Sequence, residues 1–286
     1  MPRFPMTGAS VTLACIVLSA SATTAAPLHP PEFALADHEN LERNLRWILE
    51  RERAAAVPSK NARVGVFADA GAWHSGARSI VTALESDGTP CRVLDRALLA
   101  APAGLSGLEA LVLPGGWAPF QNAAAGDAGL AAIRGFVEGG GRCLGICAGA
   151  YLLSKEVAWE GKVYRYALGL FDGTAFGPVP GLSVWPARAP VRLPITDDGR
   201  GRGLGAAASR DILYYGGPQF EGGTGVTVLA RYPSGAPAIV TRKAGKGMVI
   251  LSGVHFERPA PADGDDDAPP PVLAGAFLRS LIGLAK

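Results

Sequence analysis

From residue 62 to residue 158 the chain alternates short apolar runs with helix-like stretches, and this alternation limits the fold more than any other feature. ARVGVFA, CRVLD, LEALVLPGG and RCLGI read as strands; SGARSIVTALESDG, GLAAIRGFVEGGG and AGAYLLSKEV read as the helices between them. Apolar strands without polar alternation belong to a sheet covered on both faces, and strand–helix alternation makes that sheet parallel. The second half changes character. KVYRYALGLF, DILYY, GVTVLARY, PAIVTRKAG and KGMVILSG are short β-like segments, with SGAP and KAGKG as hairpin turns, and VLAGAFLRSLIGLAK closes the chain as a helix. The expected fold class is α/β: a flavodoxin-like three-layer sandwich on a parallel sheet, with an antiparallel β extension in the second half.

The segments before residue 61 read differently. MPRF carries Arg3, Val11–Ala20 is apolar, and Ala20-Ser21-Ala22 matches a small-residue cleavage pattern, so residues 1–26 are expected to be a signal peptide. The apolar run is about half the ~20 residues that span a bilayer, so no stable membrane span is expected after signal removal. That layout implies export, to a periplasm or to the medium. Residues 27–60 combine a proline-rich segment, expected to be extended to residue 36, with an amphipathic helix from Asp37. Leu41, Leu45, Ile48 and Leu49 would form its buried face. Residues 61–286 form the main domain, with no linker long enough to divide them.

Composition excludes several classes of function. A net charge of +2 provides no nucleic-acid surface. Signal removal would leave Cys91, Cys143 and Cys147, too few for a disulfide scaffold. Cys143 and Cys147, four residues apart along a strand, would be separated by about 13 Å, beyond disulfide reach; Cys91 with either partner stays open. Asp263, Asp265 and Asp267 mimic a calcium loop, but Ala268 stands where its glycine is required and Ala274 where its bidentate acid belongs, so a solvated loop is expected. No zinc or phosphate-loop spacing occurs, and neither metal nor cofactor is expected.

The chemistry gathers at three strand ends. GICAG places Cys147 between Gly145 and Gly149 where a strand hands over to a helix, the cysteine form of a nucleophile elbow. The helix N-terminus facing the sulfur favours the thiolate. His255 follows KGMVILSGV, and alternation points Glu257 the same way, giving a base and its orienting acid. LPGGW ends another strand at Gly115 and Gly116. A backbone N–H there, with that of Ala148, would form an oxyanion hole. Trp73 and His74 after the first strand, Trp117 after the glycine turn, and Tyr215 and Gln219 in YYGGPQF are candidates for the substrate pocket.

LPGG, GICAG and H-x-E in this order resemble the class I glutamine amidotransferase-like superfamily. VGVFADAGAWHSG, LVLPGGW, GRCLGICAGAYLLS, LYYGGPQF and VILSGVHFE resemble, more closely, the biotin-protein ligase N-terminal domain family, over residues 62–286. The resemblance implies Cys147 as nucleophile, His255 as base, Glu257 as orienting acid, and Gly115 or Gly116 with Ala148 as oxyanion donors. Tyr151 and Leu152 stand where the superfamily often has a glutamine that helps hold its substrate, and H-F-E replaces the usual H-P-E. Both departures argue against glutamine as substrate, and export argues against a synthetase partner. The expected function is a cysteine hydrolase or amidase acting on C–N bonds of a small molecule or peptide. A non-catalytic binding domain and a redox thiol protein are the alternatives.

Overall fold

The computed structural model describes residues 31–54, 61–205, 211–260 and 268–285. The expected signal peptide and the aspartate-rich run 263–267 lie outside the described residues. The expected alternation forms one seven-stranded sheet. Its parallel part contains β1 (Val64–Phe67), β2 (Cys91–Leu94), β3 (Ala110–Leu113), β4 (Arg142–Ile146) and β13 (Gly247–Ser252). The antiparallel strands β12 (Pro237–Ala244) and β11 (Thr227–Arg231) extend it beyond β13, in the order β11-β12-β13-β4-β3-β1-β2. In register, Gly145 of β4 lies beside Leu113 of β3 and Leu251 of β13. The three chemically marked strand ends therefore sit side by side.

Two apolar layers cover this sheet. On one face α2 (His74–Ser86) and α7 (Ala274–Ile282) bury Ile80, Leu84, Leu278 and Leu281 against Val64, Val66 and Ile250. On the other, α3 (Arg96–Ala100), α4 (Ala118–Glu138) and α5 (Ala148–Leu153) bury Leu99, Ile133 and Leu152 against Phe67, Leu111 and Leu251. Each such side chain contributes about 1.5–3 kcal/mol by leaving water. A smaller sheet, ordered β10-β7-β5-β6, is built from β5 (Ser154–Trp159), β6 (Lys162–Arg165), β7 (Phe171–Gly177) and β10 (Gln219–Glu221). A two-stranded ribbon, β8 (Ala189–Val191) with β9 (Ile212–Tyr214), completes the β structure apart from isolated bridges.

The structure corrects several expectations. The first helix, α1, runs Pro31–Ala54, so residues 31–36 are helical rather than extended and Asp37 lies inside the helix. Among its described side chains the buried positions are Asn44 and Ile48, while Leu45 and Leu49 are exposed. Helix α4 begins at Ala118 rather than near residue 129, and its continuity breaks at Gly126, whose φ is 56°. AGAYLLSKEV is helical only to Leu153. There Ser154 Oγ bonds the Ala150 carbonyl at 2.9 Å, and the chain turns into β5, with Ser154 and Val157 buried and Lys155 exposed. Among the described residues, no helix is long and apolar enough to cross a membrane.

Candidate active site

The elbow is built by close packing of backbone. Cys147 has φ 50° and ψ −103°, a left-handed conformation that a non-glycine residue adopts only when its surroundings hold it there. Those surroundings are specific. The Cys147 N–H donates to the Ser252 carbonyl at 2.8 Å, and the Gly149 N–H donates to the Pro114 carbonyl at 3.1 Å. A Cβ on Gly145 would lie 2.5 Å from the Gly149 backbone, and one on Gly149 would lie 2.1 Å from the Leu113 carbonyl oxygen. Only glycine fits at either position. The motif is thus a steric requirement of a helix starting directly against β3 and β4.

His255 is anchored from the neighbouring ribbon. Its N–H donates to the Leu213 carbonyl at 2.8 Å, an isolated bridge that also draws Tyr215 toward the site. Nδ1 lies 2.8 Å from Glu257 Oε1, and both side chains are buried. Burial works against the charged imidazole, but the Glu257 carboxylate and the Cys147 side chain outweigh it and raise its pKa to about 10. The Cys147 thiol donates to the Tyr215 carbonyl at 3.4 Å. His255 Nε2 is buried without a regular hydrogen-bond partner among the described residues, although the thiol is near enough to raise its proton affinity. An imidazole tied to a carboxylate through one nitrogen, with a thiol beside the other, has the arrangement that proton transfer requires. Cys91, Cys143 and Cys147 are free thiols. Burial pushes Cys91 up to about 12 and Cys143 higher still.

The glycine turn after β3 packs on His255. A Cβ on Gly115 would stand 2.4 Å from His255 Cε1. The Gly115 carbonyl accepts from the Trp73 N–H at 2.8 Å, and the Trp117 N–H donates to the Gly71 carbonyl at 2.7 Å. Neither the Gly115 nor the Gly116 amide is used in this bridge, and Ala148, first in its helix, has no intrahelical acceptor for its N–H.

An aromatic wall surrounds these groups. Trp73 stands edge-on to His255 with ring centres 5.4 Å apart and to Tyr215 at 5.7 Å. Trp185 stacks on Tyr215 at 5.0 Å and meets Trp117 and Trp159 at 5.5 Å each. The Arg188 guanidinium lies 4.7 Å from the Tyr215 ring centre and 5.3 Å from that of Trp73. Tyr151, where a glutamine was the comparison, donates to the Gly216 carbonyl at 3.0 Å and holds the same turn.

Among the expected pocket residues, Trp73, Trp117 and Tyr215 are therefore joined through this wall to His255. His74 is not: Nδ1 lies 2.9 Å from Asn44 Oδ1 and its ring meets Trp47, so it faces α1. Gln219 stands on β10 opposite Phe176, in the smaller sheet. Trp185 and Arg188 escape the sequence reading because their segment is turn-rich and carries no periodic pattern, and Trp159 because the stretch before it reads as a helix rather than as β5.

The family model described as biotin-protein ligase, N terminal, matches residues 64–268. An uncharacterized protein of Chlamydia muridarum is 31% identical over 215 residues, covering 68% of this chain and 80% of that protein. The biotin–protein ligase of Schizosaccharomyces pombe is 32% identical over 161 residues; the match takes in 51% of this chain but only 25% of the ligase. A crystal structure of glutamine amidotransferase superposes with TM-score 0.53 at 25% identity, covering 77% of this chain and 99% of that one. PurLQS from Thermotoga maritima, at 19% identity and TM-score 0.52, covers 77% of this chain and 97% of its own and shares the fold. With the motifs, the sheet order and the family match in agreement, the chain belongs to the biotin-protein ligase N-terminal family and has the fold of glutamine amidotransferase-like proteins.

Proposed function

We propose that this protein is a cysteine-dependent acyl-transfer enzyme that hydrolyses an amide. The observation that carries the reading is the Cys147 elbow, strained at φ 50°, beside a buried His255–Glu257 pair bonded at 2.8 Å. In the proposed cycle, the Cys147 thiolate attacks the amide carbon, and the carbonyl electrons move to oxygen beside the amides of Gly115 or Gly116 and Ala148. Collapse breaks the C–N bond, with His255 Nε2 delivering a proton to the departing amine. A water then loses its proton to His255 and attacks the thioester; the C–S bond breaks, releasing the acid and restoring the Cys147 thiolate beside protonated His255. The wall of Trp73, Trp117, Trp185 and Tyr215 favours an apolar or planar group next to the scissile bond over the polar side chain of glutamine. The signal-like N-terminus supports action outside the cytoplasm, on a small molecule or a peptide, without a synthetase partner.

Iodoacetamide labelling tests the nucleophile. Cys147 should react selectively in the folded protein, and Cys91 and Cys143 only after denaturation; His255→Ala and Glu257→Gln should slow the Cys147 reaction. Equal labelling of the three thiols in the folded state would refute the assignment. A second reading, a binding domain without turnover, draws on one observation: Cys147 is only 6% exposed and its thiol is engaged by the Tyr215 carbonyl. Selective labelling without hydrolysis of any amide in a broad panel would favour it.

A further inference from the structure

The most unusual position on α1 is Asn44. It occupies the buried face where the spacing of leucines predicts Leu45, and it is completely inaccessible. A buried amide is stabilising only when its polar atoms are paired, and here both ends are. Nδ2 donates to the carbonyls of Ala72 at 3.0 Å and Asp69 at 3.3 Å, while Oδ1 meets His74 Nδ1 at 2.9 Å. One turn earlier, Asn40 Oδ1 accepts the His74 N–H at 3.0 Å. All these contacts fall on the loop between β1 and α2 or on His74, the first residue of α2.

That loop is in turn zipped to the glycine turn after β3. Trp73 N–H to Gly115 carbonyl and Trp117 N–H to Gly71 carbonyl form a two-bond bridge. The approach is so close that a Cβ on Gly116, at φ 132°, would sit 2.0 Å from the Gly71 oxygen. From the other side, the buried Gln121 of α4 donates Nε2 to the carbonyls of Pro114 at 2.9 Å, Gly71 at 3.2 Å and Gly115 at 3.4 Å. Because the peptide unit is planar and trans, the Gly115 carbonyl and the Gly116 N–H point in opposite directions. Holding that carbonyl against the β1–α2 loop therefore fixes the direction of the Gly116 N–H.

We infer that Asn44 and Gln121 are positioning residues for acyl transfer, two buried amides that hold the Gly115–Gly116 peptide in the orientation an oxyanion requires. The inference rests on the acyl-transfer reading above. It assigns α1, which precedes the residues 64–268 matched by the family model, a part in the chemistry rather than in packing alone.

Two probes of Cys147 separate this role from general stability. Acylation by p-nitrophenyl acetate passes through an oxyanion; alkylation by iodoacetamide does not. Asn44→Ala should slow acylation about 10- to 100-fold, the scale of a misaligned group, with the alkylation rate unchanged. Asn44→Asp keeps an acceptor toward His74 but has no amide protons for Ala72 and Asp69, and should behave like Asn44→Ala. Ile48→Ala, a buried apolar truncation on the same helix, should lower the melting temperature yet leave acylation at the native rate. If Asn44→Ala does not fold, Gln121→Met carries the test, with the same selective loss expected. Equal slowing of both reactions, native acylation in Asn44→Asp, or the same acylation loss in Ile48→Ala would overturn the positioning role. Alkylation of Cys147 without any acylation in the unsubstituted protein would instead refute the acyl-transfer reading, and the positioning role with it.

Discussion

Gly115→Ala isolates the geometry of the base from its identity. The added Cβ would lie 2.4 Å from His255 Cε1 and 3.4 Å from Nε2. Carbon atoms rest about 3.5 Å apart or more, so the methyl group and the ring must separate by about 1 Å. The ring has little freedom to give way. Nδ1 is bonded to Glu257 at 2.8 Å, Trp73 and Tyr215 flank it at 5.4 and 6.4 Å, and its own backbone is pinned to Leu213. Either Nε2 moves relative to the Cys147 sulfur or the glycine turn moves with its amides. A displacement of about 1 Å in a reacting constellation costs on the order of 100-fold in rate. The second-order rate of Cys147 acylation by p-nitrophenyl acetate measures this directly, with the melting temperature as a check on folding. A folded Gly115→Ala protein that reacts at the native rate would refute the claim that Gly115 is the steric gauge of the base.

Two further outcomes concern stability. The folded-state pKa of His255 is raised to about 10, so its charged form stabilises the fold fully below the ordinary imidazole range near 6.5, and that contribution fades as pH rises through about 10. The stability gap between the native protein and His255→Gln, followed by thermal denaturation, should narrow between pH 6.5 and 10; a gap that widens over this window would contradict the Glu257 pairing as its cause. Asp69 is buried, and although burial alone would raise its carboxyl, hydrogen bonds from the Arg96 guanidinium and from the Arg96 and Ala70 amides hold it below the usual carboxylate range. Asp69→Ala strands those donors and should cost about 1–3 kcal/mol at pH 7, less as pH falls toward and below the usual carboxylate range near 4; a loss that is the same at pH 3 and pH 7 in chemical denaturation would refute the charged pairing.

The parallel sheet and its three marked ends were legible in the chain because both are local properties. A strand buried on two faces is apolar throughout, as VGVF and ALVL are, and a strand that turns at once into a helix needs Gly145 and Gly149 wherever it occurs. H-x-E likewise declares itself as a histidine and an acid close after a strand, although β13 ends at Ser252 and a turn at 256–257, rather than strand alternation, brings the two side chains together. Residues at chain distances of 25 to 70 were not legible in the same way. Asn44 looks like an exposed polar residue until the β1–α2 loop offers it carbonyls, and Leu45 looks buried until the helix axis is set. His74, seven residues beyond a strand that leads to the site, turns to α1 because Asn44 pairs with its ring. Trp185 is linked to His255 through stacking on Tyr215, and Arg188 through both Tyr215 and Trp73. Periodicity reports which atoms the backbone can shield from water; it carries no information on which distant side chain will fill a given gap. The sequence by itself thus determined the layers of this protein and singled out Cys147, His255 and Glu257, the residues proposed here as nucleophile, base and acid. The tertiary structure alone decided what holds them in place and which aromatic side chains surround them, because those contacts exist only once separate segments are packed together.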